Sequence, residues 1–384
     1  MKNFIFANPV KIIFGKDTIK NIAKEISHNH KVLIIYGGGS IKKNGVYDQV
    51  IKALEKNEYF EFSGIEPNPH YETCMKAVEL IKEKNIDFVL AVGGGSVIDA
   101  TKFIVAVACF EGDPWNILDK GEKIKKALPF GTILTLPATG SEMNCGAVIT
   151  KAATEDKLAF GSPLVYPKFS ILDPTTTFTL PAKQIANGVV DTFVHVIEQY
   201  LTYQEDDTLL SDLMAEAILK ALIIDGPKAL LFPTDYDVRA NLMWASTWAL
   251  NGWIAQGATE DWATHMIGHE LTAFYGIDHG QTLAIVLPGV MLVLKDQKQK
   301  KIERLGREIF GLTGLSGGVL IDKTIQNVEG FFHQMGIKTR LSDYGLGEEA
   351  IDKVANRLNQ RGWKLGECKN ITGEVAREIL DLRR

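Results

Sequence analysis

The chain is predicted to fold as an α/β N-terminal domain followed by an all-α C-terminal domain. Three observations carry this. Over the first 180 residues, short β-branched apolar runs alternate with helical patterns, as in a parallel α/β sheet. Two of those runs end in glycine loops. Beyond Pro181 only helical spacing of apolar residues remains. The boundary falls between Asp173-Pro174 and Pro181, giving domains 1–180 and 181–384.

Taken in order, Lys31-Val-Leu-Ile-Ile-Tyr36 is a strand that closes in Gly37-Gly38-Gly39-Ser40. A helix over 46–56, a strand near 59–62 and a helix over 72–84 follow. Residues 88–92 form a second wholly apolar strand, closing in Gly93-Gly94-Gly95-Ser96, and 132–136 form another before Pro137. In the C-terminal half the spacing predicts helices over 184–200, 209–224, 238–250, 262–274, 302–312 and 325–335. Asp225-Gly226-Pro227, Asn251-Gly252 and Gly276 are the expected breakers.

With 384 residues, 46% hydrophobic and 23% charged, there is chain enough for two cores. A net charge of −5 without a basic tract argues against nucleic acid or an anionic membrane as partner and leaves a small molecule. Cys74, Cys109, Cys145 and Cys368 lie far apart with no CxxC, so they offer neither a disulfide framework nor a thiolate zinc site. Cys109, in the apolar run 103–110, reads as a small core residue. The start has no long apolar segment, and no stretch approaches the ~18 apolar residues of a membrane span. A cytoplasmic protein is expected.

A strand feeding a glycine turn and a helix N-terminus presents backbone N–H groups and a positive helix end to a phosphate. Two such loops at strand ends point to a nucleotide. Neither is GxGxxG, so an ordinary Rossmann domain is not supported. From Lys31 through Tyr47 there is no acid to meet a ribose 2′-OH, while Ser40, Lys42 and Lys43 supply a hydroxyl and two cations. That favours NADP over NAD. Thr135-Leu-Pro-Ala-Thr139-Gly-Ser-Glu142 adds hydroxyls suited to a diphosphate or ribose.

Asp191 and His195 are four apart, which places them on one helix face with ~5–6 Å between Cβ atoms. His265 and His269 repeat the spacing, and Asp278-His279 follows, so four of the eight histidines can converge on a divalent metal. HxxxH is also a zinc-protease spacing, but position 266 is Met where the protease needs its Glu. Spacing alone makes His269 a ligand.

Asp173, Pro181, Gly188-Val-Val-Asp191-Thr-Phe-Val-His195-Val-Ile-Glu198 and Trp262-Ala-Thr-His265-Met-Ile-Gly-His269 through His279-Gly280 resemble both signatures of the iron-containing, group III alcohol dehydrogenases. Gly93-Gly-Gly-Ser96-Val-Ile-Asp99 and Pro137-Ala-Thr-Gly-Ser-Glu142 extend the resemblance over essentially the whole chain. Tyr36-Gly-Gly-Gly-Ser40, Gly64-Ile-Glu-Pro-Asn-Pro69 and Leu341-Ser-Asp-Tyr-Gly-Leu346 make it most similar to the NADPH-dependent butanol dehydrogenase and broad aldehyde reductase branch.

The resemblance implies a dehydroquinate-synthase-like fold and a homodimer. It implies metal ligands Asp191, His195, His265 and His279, and it moves His269 from the ligand set to a pocket near the nicotinamide, as a candidate proton relay. It places NADP(H) on Gly37, Gly38, Gly39, Ser40 and Asn68 at the adenosine side and on Gly94, Gly95 and Ser96 at the pyrophosphate. Asp99, Thr135, Thr139 and Lys157 fall towards the nicotinamide ribose, with Asp99 joining His269 in the catalytic set. An Asp/His₃ set suits Fe²⁺, Zn²⁺, Co²⁺ or Mn²⁺ about equally. The implied reaction is hydride transfer between nicotinamide and a metal-polarised carbonyl of small aliphatic aldehydes and primary alcohols, of butanal/butanol type. The apolar residues Trp262, Phe274 and Tyr275 suit such substrates, and equally suit a place in the core. Two alternatives are a lyase or cyclase of the same fold, which would need extra cations for an acidic substrate, and a non-catalytic redox sensor, which loss of a ligand would have supported.

Overall fold

The computed structural model describes residues 1–203 and 208–384. They form two compact units. One comprises Ala7–Leu180 with Pro233–Thr247; the other comprises Met1–Phe6, Pro181–Phe232 and Trp248–Arg384. Neither unit is continuous in sequence, so a single cut at 180 does not separate them.

The first unit is built on six parallel strands, β1 (Lys11–Phe14), β2 (Lys31–Tyr36), β3 (Glu58–Phe62), β4 (Phe88–Gly94), β5 (Phe130–Leu136) and β8 (Phe169–Leu172), in the order β1-β8-β5-β4-β2-β3. The hairpin of β6 (Gly146–Lys151) and β7 (Asp156–Gly161) forms a separate antiparallel pair. β2 from Val32 to Tyr36 and β4 from Phe88 to Val92 are unbroken runs of buried apolar and aromatic residues because both faces are covered. Leu33, Ile35, Val89 and Ala91 enter one core, and Val32, Ile34, Phe88 and Leu90 enter the other. Each large side chain so buried contributes roughly 1.5–3 kcal/mol.

Helices Val46–Ala53, Tyr71–Lys84 and Gly95–Val107 cover the sheet. The last ends two residues before Cys109, which is therefore half-buried; the fully buried thiol is Cys74. Residues 233–247, most of helix Tyr236–Ala249, complete this unit. Met243 lies in the sheet core, Arg239 Nη2 donates to Thr177 O at 3.0 Å, and Thr247 Oγ1 donates to the buried Glu142 Oε1 at 2.6 Å.

The second unit is helical, and its described residues add only an isolated bridge between Leu365 and Ile371. Helix Ala182–Tyr200 is buried from Ile185 onwards, as befits a central helix. Helix Leu209–Leu231 runs straight through the expected breaker at Asp225-Gly226-Pro227. Gly226 explains why packing wins over propensity. A Cβ there would sit 2.9 Å from Val189 Cγ1 of the central helix, so the glycine allows close contact where the proline removes only one ladder bond. Helix His279–Val293, absent from the sequence reading, is buried around nearly its whole circumference and so shows no amphipathic period. Helices Glu348–Gln360 and Gly373–Asp381 complete the unit. No described helix is long and apolar enough to cross a membrane.

Candidate metal centre and nucleotide loops

In the helical unit, Asp191 and His195 stand one turn apart on Ala182–Tyr200, His265 on Ala263–Tyr275, and His279 at the first position of His279–Val293. One carboxylate oxygen is their hub. Asp191 Oδ1 lies 3.4 Å from His195 Nδ1, 3.6 Å from His279 Nε2 and 3.8 Å from His265 Nε2. Donors sharing one tetrahedral ion at ~2.0–2.2 Å stand about 3.3–3.6 Å apart, a spacing that the His195 and His279 distances match and the His265 distance exceeds by a small margin. Asp191, His195 and His265 are buried, and their donor atoms fall within 4.8 Å of one another. His195 Nδ1 and His265 Nε2 have no hydrogen-bond partner among the described residues. The donor set fits a divalent metal ion.

Glu198 supports this set from outside, and the sequence reading gave it no role. It sits seven residues beyond Asp191, on the face that carries Asp191 and His195, and that spacing was the available signal. Its buried carboxylate accepts from His265 Nδ1, from the Thr264 N–H at 2.6 Å and from the His265 N–H at 3.3 Å. It thus fixes the ring so that Nε2 faces Asp191, the carboxylate–histidine arrangement that orients metal ligands. Burial alone lowers the His265 imidazole, but Glu198 and Asp191 outweigh it and lift it to about 9. Burial pushes His195 down to about 4, leaving it neutral with a lone pair to offer.

The first turn of His279–Val293 is anchored to the central helix. Asn187 Nδ2 donates to Asp278 Oδ2 at 3.0 Å, and Lys183 Nζ reaches the same oxygen at 2.8 Å. Gly280 then packs directly on Asn187, where a Cβ would fall 2.6 Å from its carbonyl oxygen. Gly280→Ala is expected to cost about 1–3 kcal/mol and to displace His279, lowering both the melting temperature and metal content; an unchanged melting curve would refute the close fit.

His269 is buried one turn past His265, its ring centroid 6.2 Å from that of His265 and 5.2 Å from that of His279. Trp262 caps the His265 helix with φ +66° and packs its ring edge-on at 5.3 Å from His265. Phe274 and Tyr275 pack against the helical core, the second of the two placements open to them. Lys353 stands 4.0 Å over Phe274 and 5.7 Å over Tyr275, and Arg357 stands 4.7 Å over Phe274. These rings pack on helix Glu348–Gln360 as cation–π partners.

In the sheet unit, the first turn of Gly95–Val107 has no capping side chain and no acid, so its N–H groups and positive end remain available to an anion. Glycine is obligatory at its start. A Cβ on Gly95 would meet Thr139 Oγ1 at 2.4 Å, and one on Gly94 would meet Leu136 Cβ at 2.9 Å. Three separate segments converge beside this turn. The Asn68 N–H donates to Ser96 Oγ at 3.4 Å, and Asn68 Oδ1 accepts from Lys157 Nζ, on β7, at 2.9 Å. Thr135 lies near the end of β5, and Thr139 Oγ1 accepts from the Ser141 N–H at 3.2 Å. Gly38 and Gly39 border open space, the latter at φ +87°.

Asp99 faces inward. Oδ1 accepts from Ser141 Oγ at 2.6 Å and Oδ2 from the Val148 N–H at 2.9 Å. Buried Lys102 donates to Ser141 Oγ, Asn144 Oδ1 and Gly146 O at 2.8, 2.8 and 2.7 Å. Burial lowers this lysine to about 8. The pair ties down residues 141–148, the loop that begins beside Thr139.

The acid-free stretch from Lys31 to Tyr47 does not describe its surroundings. Glu61 of β3, paired in register with Ile34, is bonded to Tyr36, Lys42 and Tyr47. A sheet neighbour from distant sequence is invisible to a local window.

Comparison with known proteins covers both units. The profile described as "Iron-containing alcohol dehydrogenase" matches residues 9–174, and "Fe-containing alcohol dehydrogenase family, C-terminal" matches 185–381. The NADPH-dependent aldehyde reductase YqhD of Escherichia coli (strain K12) is 52% identical over 388 residues, covering 100% of both chains. The probable NADH-dependent butanol dehydrogenase 1 of Bacillus subtilis (strain 168) is 42% identical, covering 99% of each. The crystal structure of NADH-dependent butanol dehydrogenase A from Thermotoga maritima superposes with a TM-score of 0.95 at 42% identity, over 100% of this chain and 99% of that one.

Proposed function

Because the chain belongs to the iron-containing alcohol dehydrogenase family, we propose that it is a metal-dependent, NADP(H)-linked alcohol dehydrogenase and aldehyde reductase for small aliphatic aldehydes and primary alcohols. The observation that carries this reading is the convergence of three imidazole nitrogens on Asp191 Oδ1, backed by Glu198.

Asp191, His195, His265 and His279 hold Fe²⁺, Zn²⁺, Co²⁺ or Mn²⁺. When bound, such an ion supplies Lewis-acid polarisation of a carbonyl, and reduced nicotinamide supplies the hydride. The N-terminus of Gly95–Val107, with Gly94, Gly95 and Ser96, receives the pyrophosphate. Gly37, Gly38, Gly39, Ser40 and Asn68 take the adenosine side, and Thr135, Thr139 and Lys157 the nicotinamide ribose. Asp99 acts by fixing the loop beside Thr139, since both its oxygens are engaged within the chain. His269 holds the proton that the product oxygen needs, its ring lying beside those of His265 and His279. NADP(H) is supported by the 52% identical relative named NADPH-dependent, although the 42% identical relatives carry NADH-dependent in their names. The reading extends to a cytoplasmic homodimer, and its four free cysteines suit a reducing compartment.

The test mixes metal-analysed protein with butanal and follows NADPH and, separately, NADH, before and after chelation. NADPH should be consumed faster than NADH, and consumption should stop when the metal is removed. Protein that binds metal and nucleotide yet consumes neither cofactor would refute the assignment.

A further inference from the structure

Tyr36, the last residue of β2, is followed by the Gly37–Gly39 loop and by a single helical turn carrying Lys42. All of this faces Glu61 on β3. Glu61 Oε2 accepts from Tyr36 Oη at 2.7 Å and from Lys42 Nζ at 2.8 Å, while Oε1 accepts from Tyr47 Oη. The ammonium also lies 5.3 Å from the Tyr36 ring centroid and 4.5 Å from that of Tyr47. Two rings and a carboxylate therefore hold the Lys42 ammonium in one place. The Lys42 and Glu61 side chains remain 46% and 29% exposed, and an ion pair so open to water adds little stability. The arrangement calls for an explanation other than holding the fold.

Its position suggests one. Dinucleotide readers that take NAD place an acid about 20 residues past the glycine loop, near the end of the adjacent strand, where it accepts from the ribose 2′-OH and repels a 2′-phosphate. Glu61 occupies that place relative to Gly37–Gly39, but here a lysine and two phenols already engage its oxygens. Resting on the NADP(H) reading above, we propose that Lys42 is a specificity residue that acts by covering Glu61. The seated pair carries no net charge and admits a phosphorylated adenine ribose. With Lys42 gone, the bare carboxylate repels the phosphate and accepts from the 2′-OH of NAD(H). The phenols keep Lys42 seated. The Tyr47 hydroxyl bond is strong enough to push that phenol up to about 12, and the bonds from Lys42 and the tyrosines hold Glu61 below its ordinary value although burial works the other way.

The test is a double-mutant cycle read as the ratio of kcat/KM for NADPH to that for NADH, with binding of adenosine 2′,5′-bisphosphate and 5′-AMP measured by calorimetry alongside. Lys42→Gln should lower the ratio by about 10-fold or more, since like charges brought together are strongly disfavoured. Glu61→Gln should leave the ratio unchanged or raise it. Combining them should bring it back to within about 3-fold of the starting protein, as coupled sites do. The bisphosphate to monophosphate affinity ratio should move in the same way. If Lys42→Gln weakens both cofactors equally, or if the double variant keeps the full loss, Lys42 does not act through Glu61 and the proposal is overturned. Should the starting protein reduce no aldehyde with either cofactor, the assigned reaction fails, and the calorimetric cycle still decides the role of Lys42.

Discussion

Asp191→Ala should leave a folded protein with no retained metal and turnover lowered by at least ~10³-fold. Oδ1 of this one carboxylate is the atom that three imidazole nitrogens approach to within 3.4–3.8 Å, so its loss removes the only anion from the donor set. Three imidazoles can still gather an ion, but without the negative ligand they hold it weakly. Polarisation by a metal is worth several kcal/mol in the transition state, and each ~1.4 kcal/mol is a factor of ten in rate. Metal content by elemental analysis, with circular dichroism to confirm folding, separates loss of the ion from loss of structure. Full metal stoichiometry in the variant would remove Asp191 from the ligand set.

Glu198→Gln should weaken metal retention by about 10–100-fold, the usual consequence of losing an outer partner of a ligating histidine. The amide oxygen can still accept from the N–H groups of Thr264 and His265, so the backbone turn survives. What disappears is the negative charge against His265 Nδ1, which raises the basicity of the ring and fixes its orientation. Glu198→Ala goes further, because buried donors then lack an acceptor at about 1–3 kcal/mol each. Competition with a calibrated chelator measures the retention directly. Wild-type retention in Glu198→Gln would make this carboxylate a helix support only.

The parts of this architecture that sequence reveals are those with a local period. β2 and β4 announce themselves because burial on both faces demands an unbroken apolar run, and each ends in glycines that the adjoining loop or helix requires. β1 and β8 have four residues each and do not, being too short to show a pattern. Helix His279–Val293 is hidden by the opposite excess, since a helix apolar on every side has no phase. Within the candidate metal cluster, Asp191, His195 and His265 follow from helical spacing, but spacing alone also selects His269 and cannot rank it against His279 at the start of the next helix. Proximity in sequence brings His279 forward as a candidate, and the family resemblance chooses it over His269; its Nε2 stands 3.6 Å from Asp191 Oδ1. Glu61 shows the deeper limit. Its partners lie some twenty residues back in the chain and meet it only because two parallel strands pair.

The placement of residues 233–247 has a consequence for synthesis. On the ribosome the strands of the sheet emerge first, yet the segment bearing Arg239, Met243 and Thr247 leaves only after the whole stretch 181–232 has been made. Until then Glu142 lacks the Thr247 hydroxyl and the Thr177 carbonyl lacks the Arg239 guanidinium. The N-terminal unit therefore depends for its last contacts on a helix encoded far downstream, and cannot be completed by the first 180 residues of the nascent chain.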